Sequence, residues 1–149
     1  MSRTADIIKS IISFLNYNKD DSIIPQKVRF DLLSIKDDSI CLSTANQNLQ
    51  EQPTDVTGGS WVKGTIQLKL IYRKLVAVSE ESDYQFTDKL DYITELLVKS
   101  YKQINDDAEN WFIYDVRDRQ PAKLERVYEN GTKDYSTIIS VVYQRDYSK

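Results

Sequence analysis

Histidine is absent from this chain of 149 residues, and cysteine occurs once, proline three times and glycine four times. The missing histidine removes the usual general base near neutral pH, every Ser-His-Asp or Cys-His pair, every mixed Cys/His zinc site and every histidine facial triad. Any catalysis would have to rest on carboxylates, on lysine, or on Mg²⁺ held by carboxylates. The lone Cys41 cannot close an internal disulfide and reads as a strand residue rather than a nucleophile. So little glycine and proline excludes a fibrous repeat, and 40% hydrophobic with 29% charged residues excludes a disordered polymer. There is no apolar run of membrane-spanning length, no basic amphipathic face, and no apolar core and cleavage site of a signal peptide at the start, so a soluble intracellular protein is expected. Twenty basic and 23 acidic residues leave a net charge of −3, a balance that does not draw a chain onto nucleic acid. What remains fits one domain over residues 1–149.

Ile7, Ile8, Ile11, Ile12 and Leu15 recur at helical spacing, predicting a first helix over Arg3 to Tyr17, capped by Ser2 or Thr4. Its β-branched residues lower intrinsic propensity, so packing on a sheet must hold it. Val28, Phe30 and Leu32 alternate with charged residues, and after Asp37-Asp38 comes the run Ser39–Thr44; these predict two short strands. Residues Ala45 to Ser60 are almost wholly polar and predict a long loop, a length that in a compact domain usually serves a function. From Trp61 the alternation of Ile66, Leu68, Leu70 and Tyr72 predicts a long strand extending as far as Val78. Phe86, Leu90, Ile93, Leu97 and Tyr101 mark a second amphipathic helix, with Ser82 or Asp83 as cap. Trp111–Asp118 reads as a strand, and Ala122–Tyr128 with Asp134–Tyr147 as a hairpin across Asn130-Gly131, a dipeptide suited to the positive φ angles of a two-residue turn. The last strand is apolar on both faces and is expected at the centre of its sheet. The predicted class is α+β: a mixed, mainly antiparallel sheet with two amphipathic helices on one face, a long polar loop and a C-terminal hairpin.

No constellation assembles into a reactive site. The pairs Asp20-Asp21, Asp37-Asp38 and Asp106-Asp107 stand where turns are expected and lack the ligand spacing of a calcium loop. Gly58-Gly59-Ser60 precedes a strand rather than the helix a phosphate cradle requires. Most of the ten tyrosines fall within apolar alternations, which favours packing over base stacking. No enzyme activity, cofactor, metal, membrane contact or specific nucleic-acid binding is therefore expected. Trp61 differs from the other aromatics, because it joins the polar loop to the long strand, a place where an aromatic side chain anchors an interface.

The run Thr57-Gly58-Gly59-Ser60-Trp61-Val62-Lys63-Gly64 leading to Leu70-Ile71-Tyr72-Arg73, and the closing Asn130-Gly131 … Asp134-Tyr135 … Val142-Tyr143-Gln144-Arg145, resemble the minor capsid and tail terminator proteins of long-tailed bacteriophages, over nearly the whole chain. The resemblance implies a non-enzymatic virion protein, assembled in the host bacterial cytoplasm. Its copies would form a ring, typically a hexamer, at the head-proximal end of the tail tube, ending polymerisation and offering a joining surface to the head's connector. Its partners would be further copies of itself, the tail tube protein and a head completion or connector protein. On that basis the polar arm is expected to be mobile in the monomer and to order against a neighbour, which makes Gln47, Asn48, Gln50 and Glu51 interface candidates with Trp61 at the base. Arg117 and Arg119 are candidate opposite-sign partners for the acidic turns of another copy. A head completion or neck protein is the nearest alternative, followed by a small nucleic-acid-binding module; a carboxylate-metal hydrolase would need three converging acids that the sequence does not place.

Overall fold

A computed structural model describes residues 3–30, 39–44, 51–54, 59–74, 80–117, 119–129 and 131–148. In chain order the elements are α1 (Thr4–Asn18), β1 (Ser39–Thr44), β2 (Gln52–Pro53), β3 (Trp61–Lys74), α2 (Glu80–Ile104), a single 3₁₀ turn (Asn105–Asp107), β4 (Trp111–Arg117), β5 (Lys123–Val127) and β6 (Lys133–Asp146). The sheet runs β1-β3-β6-β4, with β2 also on β3 and β5 also on β6. All of these pairings are antiparallel. The α+β class, the two helices and the central place of the last strand are as expected.

Two strands of 14 residues, β3 and β6, form the spine, in register from Trp61 opposite Asp146 to Lys74 opposite Lys133. Alternation along β3 turns Ile66, Leu68, Leu70 and Tyr72 to one face, and the register sets them against Val141, Ile139, Thr137 and Tyr135. Onto this face pack Ile7, Ile11 and Leu15 of α1 and Phe86, Leu90, Ile93 and Leu97 of α2. Each such aliphatic side chain taken from water contributes about 2 kcal/mol, so this layer is what holds α1 helical despite its isoleucines. Phe86 locks the top of α2 to the spine, 5.7 Å from the Tyr72 ring and 5.4 Å from that of Tyr135.

The far face of the sheet is held by polar side chains that reach across β6. Lys69 of β3 meets Glu125 of β5, which also accepts from the Ser136 hydroxyl between them. Burial raises the Glu125 carboxyl, but the bonds from Lys69 and Ser136 outweigh it, and the group titrates below its usual range. One rung higher, Arg73 donates Nε and Nη2 to the two carboxylate oxygens of buried Asp134, at 2.8 and 2.9 Å, while Tyr128 donates to Asp134 at 2.8 Å.

Side chains also satisfy backbone groups that the strand ladders leave open. The Asn105 amide acts as a false strand beside β4: it accepts from Ile113 N–H at 2.6 Å and donates to Ile113 C=O at 2.9 Å. Asn16 of α1 does the same to Val28, at 2.7 and 3.0 Å. This explains the first departure from expectation. The strand expected over Val28, Phe30 and Leu32 is reduced to one parallel bridge between Arg29 and Cys41, because α1 already holds the backbone of Val28. Its later part, with Asp37-Asp38, lies outside the described residues.

Other boundaries shift for local reasons. Thr4 is the first helical residue rather than the cap; Arg3 takes the cap position, its N–H donating to the Asp6 carboxylate at 2.9 Å. The second helix begins at Glu80, so Ser82 and Asp83 lie inside it, and no glycine or proline from Leu75 to Asp83 prevents that earlier start. β3 ends at Lys74, and Leu75 to Val78 fall outside the described residues. The hairpin is present, but Tyr128 N–H bonds Thr132 C=O, which leaves a three-residue loop rather than a two-residue one, with Gly131 at φ 88 completing it. Asn130 itself is not described.

Candidate assembly interface

The polar stretch Ala45–Ser60 does not run free along its whole length. Gln52 and Pro53 pair with Lys63 and Val62 at the base of β3, Thr54 N–H bonds Trp61 C=O at 3.1 Å, and Glu51 is clamped just before them. Arg145 donates Nε and Nη2 to the two Glu51 oxygens at 2.7 and 2.8 Å, and the Tyr143 hydroxyl adds a third bond at 2.9 Å. Arg145 and Tyr143 share a face of β6 because they are two residues apart. The Arg145 bond holds the Glu51 carboxyl below its usual range, while burial and Glu51 together push the Tyr143 hydroxyl well above that of a free tyrosine. So Glu51, expected to meet another subunit, is a fixed internal latch. The expectation of a mobile arm is corrected for residues 51–54: polar composition did not prevent a fixed anchor, because β3 and β6 supply the partners.

Gly64 makes the latch possible. It stands opposite Tyr143, and a Cβ built there would meet the tyrosine Oη at 2.6 Å and Cζ at 2.8 Å. The ring lies where a side chain would stand, which carries its hydroxyl over to Glu51.

The opposite face of the same end carries aromatics. Trp61, half-buried as the first residue of β3, packs its ring at 44° to that of Phe112 with centroids 5.9 Å apart, and Lys63 stands 4.8 Å over the exposed ring of Tyr114. Trp61 thus lies at the base of the arm as expected, with Phe112 as its support. Below them the chain end is tied down by Tyr147 N–H to Ser60 C=O at 3.1 Å and by the Ser60 hydroxyl on buried Asp146.

Arg117 is exposed at the end of β4. Arg119 is also exposed but faces its own α2, with Nη1 3.4 Å from Glu95 Oε1, an exposed pair worth about 0.5 kcal/mol. Arg119 thus pairs with its own helix rather than with the described residues of the arm. Gln47, Asn48 and Gln50 lie outside the described residues. Among the described residues no group of three or more acidic or thiol side chains gathers in a metal-binding set. No helix among them is long and apolar enough to cross a membrane. Phe112 and Tyr114 were not singled out by sequence, and Tyr143 and Arg145 only within the closing motif; the alternation placing those two on one face was legible, but their partner 92 and 94 residues away was not.

No protein-family model matches the chain, and neither does any curated protein. Among solved structures the result is different. The fold is shared with a chain from the virion of a native gene transfer agent particle. The two superpose with a TM-score of 0.56, over 89% of this chain and 91% of that one, at 10% sequence identity. The likeness therefore covers nearly the whole length of both chains. At that identity no residue of the virion chain is transferred to this one, and the latch and the aromatic base stand on this chain's own geometry.

Proposed function

We propose that this chain is a structural protein of a phage-like virion, which forms a ring at the head-proximal end of the tail tube, stops tube growth and offers the joining surface for the head. The observation that carries the reading is the fold shared, nearly end to end, with a chain of the gene transfer agent virion. Two features of the molecule are in keeping with it. The lack of histidine leaves few catalytic designs open. The latch fixes the base of a polar segment beside a cluster of aromatic rings, the residue types that dominate protein interfaces. A ring requires contacts between two different patches, each meeting the other on the next copy.

The test is tube growth. Purified tail tube protein from the same phage is polymerised with and without this chain, and lengths are measured in negative stain. Short tubes, each with a disc at one end, are the expected result. Unaltered lengths, or discs found on DNA-filled heads rather than on tubes, would overturn the terminator role, the second outcome in favour of a head completion protein.

A further inference from the structure

All five residues of β5 are exposed, and its only ladder is the one to β6. Which of its backbone groups point outward follows from that ladder. β6 turns the backbone of its even-numbered residues toward β5 and the segment before it, as in the bonds from Tyr128 N–H to Thr132 C=O and from Gln120 N–H to Ile138 C=O. Leu124 and Val127 stand opposite Tyr135 and Lys133, so their N–H and C=O groups point away from β6, and among the described residues nothing bonds them. In a regular strand such outward residues are two apart. Here they are three apart, because the bulge between Leu124 and Arg126 inserts Glu125. The bulge also puts two charges on one face: Glu125 meets Lys69 and Ser136, and Arg126 stands opposite Asp134. Leu124 and Val127 share the other face and remain 49% and 56% exposed.

A bulge and exposed charges are common guards of an edge strand. Against an ordinary strand they work here, since its two-residue repeat meets Leu124 or Val127 and not both. A second β5 carries the same three-residue spacing. Set antiparallel, with Leu124 of each copy opposite Val127 of the other, the two spacings coincide and every outward N–H and C=O gains a partner. The same register brings Glu125 opposite Arg126 and Lys123 opposite Tyr128 on one face, opposite charges and a cation with a ring, and joins the four apolar side chains on the other. Glu125 keeps acceptor sites for this, because its two bonds within the chain leave carboxylate lone pairs free. Shifting the strands by one residue sets Glu125 against Glu125 or Arg126 against Arg126, and a parallel in-register pair sets every charge against itself.

We infer that β5 of one copy pairs antiparallel with β5 of a second, joining two six-stranded sheets edge to edge across a two-fold axis. A second copy is the occupant because β5 itself supplies the spacing and the charge order that its open edge requires. The contact is isologous and closes at two copies, so it cannot build a ring and goes beyond the ring reading.

The experiment uses the purified full chain without tail tubes, in sedimentation and native mass spectrometry across a concentration series. A concentration-dependent dimer is expected, with amide exchange at Leu124 and Val127 slowing as the dimer fills. Glu125→Arg and Arg126→Glu each set like charges opposite one another, and each alone is expected to weaken the dimer about tenfold or more. Mixed, the two variants face each other with opposite charges at both positions, and a mixed dimer is expected to return. For direct contact, Leu124→Cys protein is mixed with Val127→Cys protein and oxidised. Because Cys41 is fully buried, a cross-linked dimer is expected in the mixture and not in either variant alone. Circular dichroism confirms that each variant is folded. A chain that stays monomeric at every concentration, or a dimer that leaves exchange at Leu124 and Val127 unchanged and gives no cross-link in the mixture, would overturn the pairing. Tube-end rings report on the proposed function separately, and their absence would leave this pairing standing.

Discussion

Replacing Gly64 with alanine adds one methyl group to the tightest place in the fold. The new Cβ would stand 2.6 Å from Tyr143 Oη and 2.8 Å from Cζ, where ordinary contact needs at least 3.4 Å, and the ring is fully buried with little room to retreat. Overpacking of this kind costs about 1–3 kcal/mol. Displacing the ring also breaks its bond to the Glu51 carboxylate, a charge-assisted bond worth about 1.5–3 kcal/mol. Against this, alanine in a strand interior is better than glycine by about 0.5–1 kcal/mol. The net expectation is a loss of about 2–5 kcal/mol, or roughly 5–20 °C in Tm for a chain of this size. Urea unfolding with a fixed m-value gives the number directly. Tyr143→Phe removes the closest atom, so Gly64→Ala should cost at least about 1 kcal/mol less in that background than in the wild type. A Gly64→Ala protein as stable as the parent, or additive with Tyr143→Phe, would refute the account of the latch.

Three further outcomes follow from the same geometry. Glu51 has its carboxyl depressed by Arg145, so its stabilisation is complete above the unfolded value near 4.5 and disappears as pH falls through the lower folded value; Glu51→Gln should cost about 1.5–3 kcal/mol at pH 7 and progressively less as pH falls below 4.5, read from urea midpoints across that range. Asn105→Ala strips the cover from both backbone groups of Ile113, with an expected loss of about 1–3 kcal/mol and faster amide exchange at Ile113, while exchange in β1 is unchanged. Arg73→Ala leaves Asp134 buried without its guanidinium partner, and thermal melting should show a loss of about 2–4 kcal/mol, whereas Arg119→Ala, which breaks only the exposed pair with Glu95, should change stability by about 0.5 kcal/mol or less.

Hydropathy period made much of this fold legible before its coordinates. Ile66, Leu68, Leu70 and Tyr72 announced the strand and its buried face, and Leu90, Ile93 and Leu97 the helix laid over it. What stayed hidden depended on side chains meeting across long separations. Nothing near Val28 in the sequence says that Asn16 will take its backbone polar groups, and nothing near Glu51 says that a polar stretch ends in an ion pair to Arg145. The exposure of Leu124 and Val127 was hidden for the same reason, since it arises from what the helices fail to cover.

The central claim, that copies of this chain close into a ring on a tail tube, is tested most directly by images of tube ends after the purified chain is added, averaged along the tube axis. The account predicts a cyclic ring, six-fold on the phage resemblance, at one end of each tube and none along its length. Bare ends beside protein that sediments as a monomer would contradict it.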